Sequence, residues 1–190
     1  MTSFRRPLLA TVVLLPMLLP LAARSAEPPG RPPPDWGPTA IDYSNVPYPY
    51  PVSYLAVKLF GRDLRMAYMD VAPAGAANGR TVVLFHGMNF FAAAYRDTIA
   101  ALSEAGFRVI AVDRLGFGRS SKPDVHYSLH MPARNTHALL EQLDIPRAAI
   151  VGHSMGGMVA TRFAAAYPGV TSHVVMVNQI GLSDPRRQRP

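Results

Sequence analysis

The chain has 190 residues, of which 49% are hydrophobic, a formal net charge of +7 and no cysteine. This length allows a single domain with a sizeable core, and the lack of cysteine excludes disulfides, thiolate catalysis and cysteine-based zinc sites. Most of the charge lies near the two ends, because the segment from Glu27 to Pro185 holds 13 basic and 12 acidic residues. A nearly neutral central segment with scattered arginines argues against a nucleic-acid partner.

The first 26 residues have the pattern of a secretory signal peptide. Arg5 and Arg6 precede an apolar run from Pro7 to Ala23, and a small residue stands at position 25. The alternative is a membrane anchor, but 17 residues that include three prolines are short and broken for a membrane span. We therefore expect a periplasmic or secreted protein with no stable membrane span after signal cleavage.

A proline-rich segment follows the leader. Nine of the 24 residues from Pro28 to Pro51 are proline. This composition favours the extended polyproline II conformation. It predicts a semi-rigid arm over residues 27–51, which leads into a partial domain at 52–185, followed by a basic tail at 186–190.

The domain alternates between strand-like and helix-like segments. Alternation of this kind predicts right-handed crossovers and a mainly parallel sheet with helices on both faces. In such sheets the chemistry gathers at the carboxyl ends of the strands. The predicted strands cover residues 52–60, 64–72, 81–85, 107–112, 148–151 and 174–177, and the predicted helices cover residues 92–105, 129–143 and 155–167.

The sequence Gly-His-Ser-Met-Gly at 152–156 joins a predicted strand to a predicted helix. This pattern predicts a sharp turn with Ser154 at its tip, in a backbone conformation that most residues avoid. The glycines on either side keep strand and helix from colliding, and the N-terminus of the helix directs free N–H groups toward the serine. The motif predicts Ser154 as a nucleophile; the alternative is a structural serine on an inherited fold.

Two further turns follow buried strands, His86-Gly87 after the third and Asp113-Arg114-x-Gly-x-Gly-x-Ser after the fourth. Together with the serine motif, they make residues 43–184 resemble the α/β-hydrolase family in motif type, order and spacing. The resemblance is to its serine esterase or lipase-like branch, and Tyr-Pro-Tyr-Pro-Val at 48–52 is similar to secreted bacterial members. It implies a doubly wound, mainly parallel sheet of the α/β-hydrolase type.

The resemblance also implies a mechanism, in which Ser154 attacks the carbonyl carbon of a small-molecule acyl substrate and forms an acyl-enzyme. The backbone N–H groups of Met155 and Met88 are then the expected oxyanion donors. No cofactor and no metal are implied. A serine at this position disfavours haloalkane dehalogenase and epoxide hydrolase chemistry, which use a carboxylate there; peptidase or thioesterase action stays open.

Other polar residues near these turns have structural interpretations. We expect His86 to order the oxyanion loop and His153 to pack beneath the serine turn. Asp113 and Arg114 are expected to hold the turn after the fourth strand by hydrogen bonds. A phosphate-binding loop at the glycines that follow is disfavoured, because no Lys-Ser or Lys-Thr comes after them.

The family order is serine, acid, histidine. After Ser154 the sequence holds one acidic residue, Asp184, and one histidine, His173. His173 opens the last predicted strand, roughly 15 Å from the catalytic edge at ~3.3 Å per residue. We therefore expect Asp184 to be the candidate acid and the catalytic histidine to be missing.

The family's sheet normally continues with two more strands, so we expect a C-terminally truncated or frameshifted chain whose sheet is incomplete at that edge. An edge of this kind is an aggregation hazard, and we expect poor solubility. The predicted function is a serine hydrolase of carboxylic esters or related acyl bonds. The alternative is an inactive remnant or a non-catalytic binding module. Neither the substrate nor the oligomeric state follows from the sequence.

Overall fold

The computed structural model describes residues 39–182. The predicted leader at 1–26, the start of the proline-rich arm, the candidate acid Asp184 and the basic tail at 186–190 lie outside the described residues. The elements are β1 Val52–Leu59, β2 Arg62–Val71, β3 Thr81–Phe85, a 3₁₀ turn Ala92–Tyr95, α1 Arg96–Glu104, β4 Arg108–Val112, α2 His130–Gln142, β5 Ala148–His153, α3 Met155–Ala166 and β6 Thr171–Val177.

The six strands form one sheet in the order β1-β2-β4-β3-β5-β6. The pairs β1–β2 and β2–β4 are antiparallel, and the other three pairs are parallel. This confirms the predicted mainly parallel sheet. Because β4, β3 and β5 are neighbours, the turns that follow them meet at one edge of the sheet.

Helices cover both faces of the sheet, which explains why the central strands are apolar throughout. Successive side chains of a strand point to opposite faces, and in β3 Val83 and Phe85 join one core cluster while Val82 and Leu84 join the other. The first cluster includes Phe163 of α3 and residues of α2, and the second includes Ile99 of α1. The sheet is therefore held between α2 and α3 on one face and α1 on the other.

The two largest differences from the predicted boundaries lie at the start of α1 and at the start of β6. The predicted helix over 92–105 begins as a 3₁₀ turn, where the Ala92 N–H donates to the Asp113 carboxylate at 2.6 Å, and it ends before Gly106, whose φ is +88°. The last strand begins at Thr171 instead of Val174. The first residues of that strand are polar, so an apolar pattern does not predict that they pair with β5.

Residues 39–51, the described part of the predicted arm, pack against the turn that follows β4. The ring of Tyr43 meets Phe91 edge-on at 5.2 Å, and the Tyr48 hydroxyl donates to the Asp113 carboxylate at 2.5 Å. Arg119 Nη2 donates to the Val46 carbonyl at 2.8 Å. This part of the arm therefore helps to fix the turn.

The outer strand β6 leaves large apolar side chains in solvent. Val175, Met176 and Val177 are 46%, 49% and 43% exposed. The exposed strand is thus the main apolar surface at this side of the described sheet.

Among residues 39–182, no helix has both the length and the apolar character needed to cross a membrane.

Candidate active site

Ser154 lies at the tip of a turn between β5 and α3. Its φ of 54° and ψ of −120° lie in a region that side-chain-bearing residues rarely adopt, at a cost of order 1–3 kcal/mol. Its N–H donates to the Val177 carbonyl at 3.0 Å, and its own carbonyl accepts from the Gly157 N–H at 3.0 Å. The residue is half-buried, and these bonds hold it in the strained conformation.

The glycines beside Ser154 have no space for a side chain. A Cβ on Gly152 would lie 2.2 Å from the Gly156 carbonyl oxygen, and a Cβ on Gly156 would lie 2.1 Å from the Phe85 carbonyl oxygen. Both neighbours are backbone atoms that cannot move aside cheaply. The close approach of α3 to β3 and β5 therefore requires glycine at both positions.

A second turn lies beside the serine turn. In Gly87–Phe90 the Phe90 N–H approaches the Gly87 carbonyl at 3.4 Å, and Asn89 has a positive φ of 63°. A Cβ on Gly87 would be 3.4 Å from Ser154 Cβ, so the two turns are in contact. We call Gly87–Phe90 the oxyanion turn, after the role that the sequence predicts for Met88.

Two backbone donors near Ser154 are uncommitted. Within residues 39–182 no hydrogen bond uses the Met88 N–H. Met155 is the first residue of α3, so its N–H has no acceptor inside the helix. One donor thus comes from each turn, which is the arrangement that an oxyanion requires.

His86 is buried, and both of its ring nitrogens face backbone groups. Nδ1 donates to the Gly87 carbonyl at 2.8 Å, and Nε2 accepts from the Arg114 N–H at 3.2 Å. Burial, with a smaller contribution from the Arg114 charge, lowers the pKa of His86 to about 3. A neutral ring whose lone pair is already engaged cannot serve as a base, so this geometry suits the loop-ordering role expected for it.

The Asp113 carboxylate joins three segments of the chain. It accepts from the Ala92 N–H at 2.6 Å, the Arg119 N–H at 2.8 Å and the Tyr48 hydroxyl. Burial raises the pKa of Asp113, while these donors act in the opposite direction. A Cβ on Gly118 would collide with the carboxylate, which explains this glycine without any phosphate ligand.

His153, expected beneath the serine turn, lies beside the oxyanion turn instead. Its ring meets Phe90 edge-on at 6.4 Å, and a Cβ on Gly87 would lie 3.1 Å from its Nδ1. The residue is half-buried. Its side chain therefore supports the oxyanion turn.

The structure does not bring His173 to Ser154. His173 pairs with Ala149 at the start of β5, whereas Val177, at the other end of β6, pairs with His153. His173 and Val177 are four positions apart in the strand, about 13 Å at ~3.3 Å per residue. Its side chain is exposed, and no other histidine and no acid occur between Ser154 and residue 182.

An open cleft of about 410 Å³ lies beside the two turns. Its wall is largely apolar and includes two cations but no acidic residue. Among residues 39–182 there is no group of three or more side chains that could hold a metal ion. The cleft is lined by Met88, Arg114, Leu115, Gly116, Phe117, Lys122, Tyr127, Ser128, Leu129, Met131, Pro132 and Met155.

This cleft could not be predicted from the sequence. Its wall is built largely from the segment between β4 and α2, where no motif marks a binding residue. One signal in the sequence is the position of Leu115 and Phe117, apolar residues that follow directly after a strand ending at the carboxyl edge of the sheet. The sequence motif predicts only a role in the turn for Arg114, because its place in the cleft depends on packing across the sheet.

Comparison with known proteins places these features in a family. A model of the alpha/beta hydrolase fold matches residues 80–187. A solved structure, a probable hydrolytic enzyme from Pseudomonas aeruginosa, is 54% identical with a TM-score of 0.71, and the match covers 74% of this chain and 45% of that chain. A haloalkane dehalogenase from Mycolicibacterium paratuberculosis is 33% identical over 148 residues, 75% of this chain and 48% of the relative.

An uncharacterized protein of Mycobacterium bovis is 38% identical over 108 residues, which are 57% of this chain and 31% of the relative. The chain therefore spans between about a third and a half of the length of these relatives. The matched residues 80–187 contain the oxyanion turn, the Asp113 turn and the serine turn on the expected strands. The chain belongs to the alpha/beta hydrolase fold family.

Proposed function

We propose that this chain supplies the nucleophile and the oxyanion donors of a serine hydrolase that acts on carboxylic esters or related acyl bonds. The observation that carries the proposal is the conformation of Ser154, with φ 54° and ψ −120° between Gly152 and Gly156. A strained serine at the end of a central strand, with a helix N-terminus behind it, favours nucleophilic attack.

In the proposed reaction, Ser154 Oγ attacks the carbonyl carbon, and the alcohol leaves from the tetrahedral intermediate to give an acyl-enzyme. The oxyanion accepts hydrogen bonds from the N–H groups of Met155 and Met88. Loss of one such donor typically removes about 3 kcal/mol of transition-state stabilisation. Water then releases the acid product and restores the serine.

The identity of the residue at the turn favours acyl chemistry over the activity of one relative. That relative is named a haloalkane dehalogenase. Dehalogenase and epoxide hydrolase reactions need a carboxylate nucleophile at this position, and this chain has a serine. The small-molecule substrate is therefore proposed to carry an acyl group.

The question of which residue acts as the general base leads to a second candidate function. His86 has its lone pair engaged, and His173 lies at the far end of β6. Neither of these two histidines suits the role of base, which favours a binding module that keeps the cleft without turnover. Asp184 stays the proposed acid and lies outside the described residues.

A fluorophosphonate probe tests the nucleophile, because it reacts with an activated serine without needing a complete turnover. We expect one covalent adduct, located on Ser154 by peptide mass spectrometry. Ser154→Ala should lose the adduct, and Ser128→Ala, which changes an exposed serine in the same cleft, should keep it. An adduct that survives Ser154→Ala, or a folded wild type that never reacts, would contradict the proposal.

Ester turnover separates the two candidates. With p-nitrophenyl butyrate, a chain that acylates but lacks a base should release at most about one equivalent of nitrophenol. Continued release that depends on Ser154 would show a complete hydrolase and would refute the missing base. A labelled serine without any release would favour the binding module.

We also propose, from the leader pattern at 1–26, that the protein acts outside the cytoplasm. Expression of the whole chain in a bacterial host should give a periplasmic product that lacks the leader. Mass spectrometry of the periplasmic and cytoplasmic fractions checks this. An uncleaved chain found in the cytoplasm would contradict the proposal.

A further inference from the structure

Arg114 is a cation with very little contact to solvent. The residue is 5% exposed and follows Asp113 directly at the end of β4. Its Nη2 donates to the Gly87 carbonyl at 3.2 Å, and its guanidinium carbon lies 4.6 Å from the centre of the Phe117 ring. These contacts orient the guanidinium but bring no negative charge to it.

No carboxylate within residues 39–182 balances this charge. Asp113 has its own partners, Tyr48, Ala92 and Arg119. The absence of an acid is unusual, because arginine is almost never buried unless it is paired. Burial lowers the pKa of Arg114 to about 10, so the side chain still carries its charge at neutral pH.

The guanidinium also retains donors that the protein does not use. Its Nε is enclosed and has no hydrogen-bond partner. Its Nη1 makes no hydrogen bond within the described residues and, unlike Nε, is not fully enclosed. Arg114 lines the cleft beside the oxyanion turn, which leaves Nη1 as the candidate donor for a ligand there.

The second cation of the cleft is already engaged. The Lys122 ammonium donates to the Gly118 carbonyl at 2.6 Å and to the Ser120 carbonyl at 3.2 Å. One free donor nitrogen on a cation without an acidic partner matches a singly charged group, a carboxylate, better than a doubly charged phosphate. The remaining wall of the cleft suits an aliphatic chain, because most of its residues are apolar.

We propose that Arg114 binds a carboxylate on the substrate, so that the preferred ester carries a negatively charged group on the chain that occupies the cleft. This inference rests on the proposed function, because it names the substrate class of the same site. Arg114 also holds the Gly87 carbonyl, so the same guanidinium contacts the substrate and the turn that carries Met88. Recognition of the charge is thereby coupled to the position of an oxyanion donor.

Two fluorophosphonate probes of equal chain length test the proposal, one ending in a carboxylate and one in a carboxamide. The measurement is the second-order rate of Ser154 labelling, followed by intact-protein mass spectrometry. A charge-assisted hydrogen bond should make the carboxylate probe faster by about tenfold or more. Because the interaction is electrostatic, this ratio should fall as salt is added.

Variants assign the preference to Arg114. Arg114→Gln should bring the ratio of the two rates close to one, and Arg114→Lys should keep part of it. Arg65→Gln is the matched control, because Arg65 also lies over a ring, that of Tyr54, but outside the cleft. If Arg114→Gln does not fold, as judged by circular dichroism, the wild-type ratio and the lysine variant decide.

The outcomes separate the two proposals. Equal labelling rates in the wild type would overturn the carboxylate site and leave the nucleophile standing. If neither probe labels Ser154, the proposed function fails, and calorimetry with octanoate and octanamide then tests the site by itself. Tighter binding of octanoate that Arg114→Gln removes would support the site, and equal binding of the two ligands would overturn it.

Discussion

The N–H of Ser154 donates a hydrogen bond to the carbonyl oxygen of Val177 at 3.0 Å. Val177 is the last residue of β6, the outer strand of the described sheet. Ser154 holds a backbone conformation that persists only where surrounding contacts enforce it. The position of the proposed nucleophile therefore depends on a strand whose own side chains are largely exposed.

The first expected outcome concerns the close approach of α3 to β3. Gly156→Ala places a Cβ 2.1 Å from the Phe85 carbonyl oxygen, so the helix has to shift. We expect a loss of about 3 kcal/mol or more in the free energy of unfolding, measured by urea denaturation, and loss of fluorophosphonate labelling. Gly169→Ala is the control, since nothing lies within 4 Å of its added Cβ. Equal stability of the two variants would contradict the packing described.

The second concerns pH and His86. Its folded-state pKa of about 3 lies below the unfolded value near 6.5, so between these values the unfolded chain binds a proton that the folded chain does not. Its contribution to stability is therefore present above pH 6.5 and is lost as the pH falls toward 3. The loss between pH 7 and pH 5 should be about 2 kcal/mol.

Urea denaturation at several pH values measures this effect. Carboxylates also contribute to the pH dependence, so the informative quantity is the difference between wild type and His86→Gln. The variant should lose less stability between pH 7 and pH 5 than the wild type does. His126→Gln, at an exposed histidine, should leave the wild-type dependence in place. Identical pH dependence in wild type and His86→Gln would show that the ring is not buried in its neutral form.

The third concerns the packing of residues 39–51. Tyr48→Phe removes the hydroxyl that donates to the Asp113 carboxylate and leaves the two backbone donors in place. We expect a loss of about 1 kcal/mol in the free energy of unfolding. Tyr54→Phe, at a more exposed tyrosine on β1, should have little effect. If both variants unfold at the same urea concentration, the bond between the arm and Asp113 does not contribute to stability.

The fourth concerns the exposed strand β6. Val175 is 46% exposed, and a lysine there should reduce association of one chain with another through this strand. We expect the wild-type chain to form larger species in light scattering and Val175→Lys to form fewer. Ile41→Lys adds the same charge at a position 84% exposed outside the sheet and should not have this effect. A monomeric wild type would contradict the aggregation expected from the sequence.

The sheet and its helices could be predicted from sequence because burial on both faces leaves a continuous apolar run. Thr81–Phe85 was predicted with its observed bounds for that reason. The start of β6 could not be predicted, because Ser172 and His173 are polar and only the pairing with β5 reveals them as strand. Strand order also escaped the sequence, since adjacency of β3 to both β4 and β5 depends on contacts between distant segments.

The candidate site also combines features that the sequence predicts with features that it does not. The serine turn could be predicted because its glycines meet a local steric requirement, and the sequence motif shows this requirement directly. The burial of Arg114 could not, since it depends on Gly87 and Phe117 approaching from other segments. The hydrogen bond from Tyr48 to Asp113 joins residues 65 apart in the chain, and no local sequence pattern predicts it.

The register of β3 has a consequence for chain length. Phe85 is opposite Gly152 on β5 and opposite Val112 on β4, so His86 and Gly87 emerge level with both neighbouring turns. One residue added within β3 would reverse the faces of the residues beyond it and carry the Met88 N–H away from Ser154. Insertions near Gly79, where an added side chain meets nothing, would leave this alignment intact. Length variation among functional homologues should therefore be found before Thr81 and not between Thr81 and Met88.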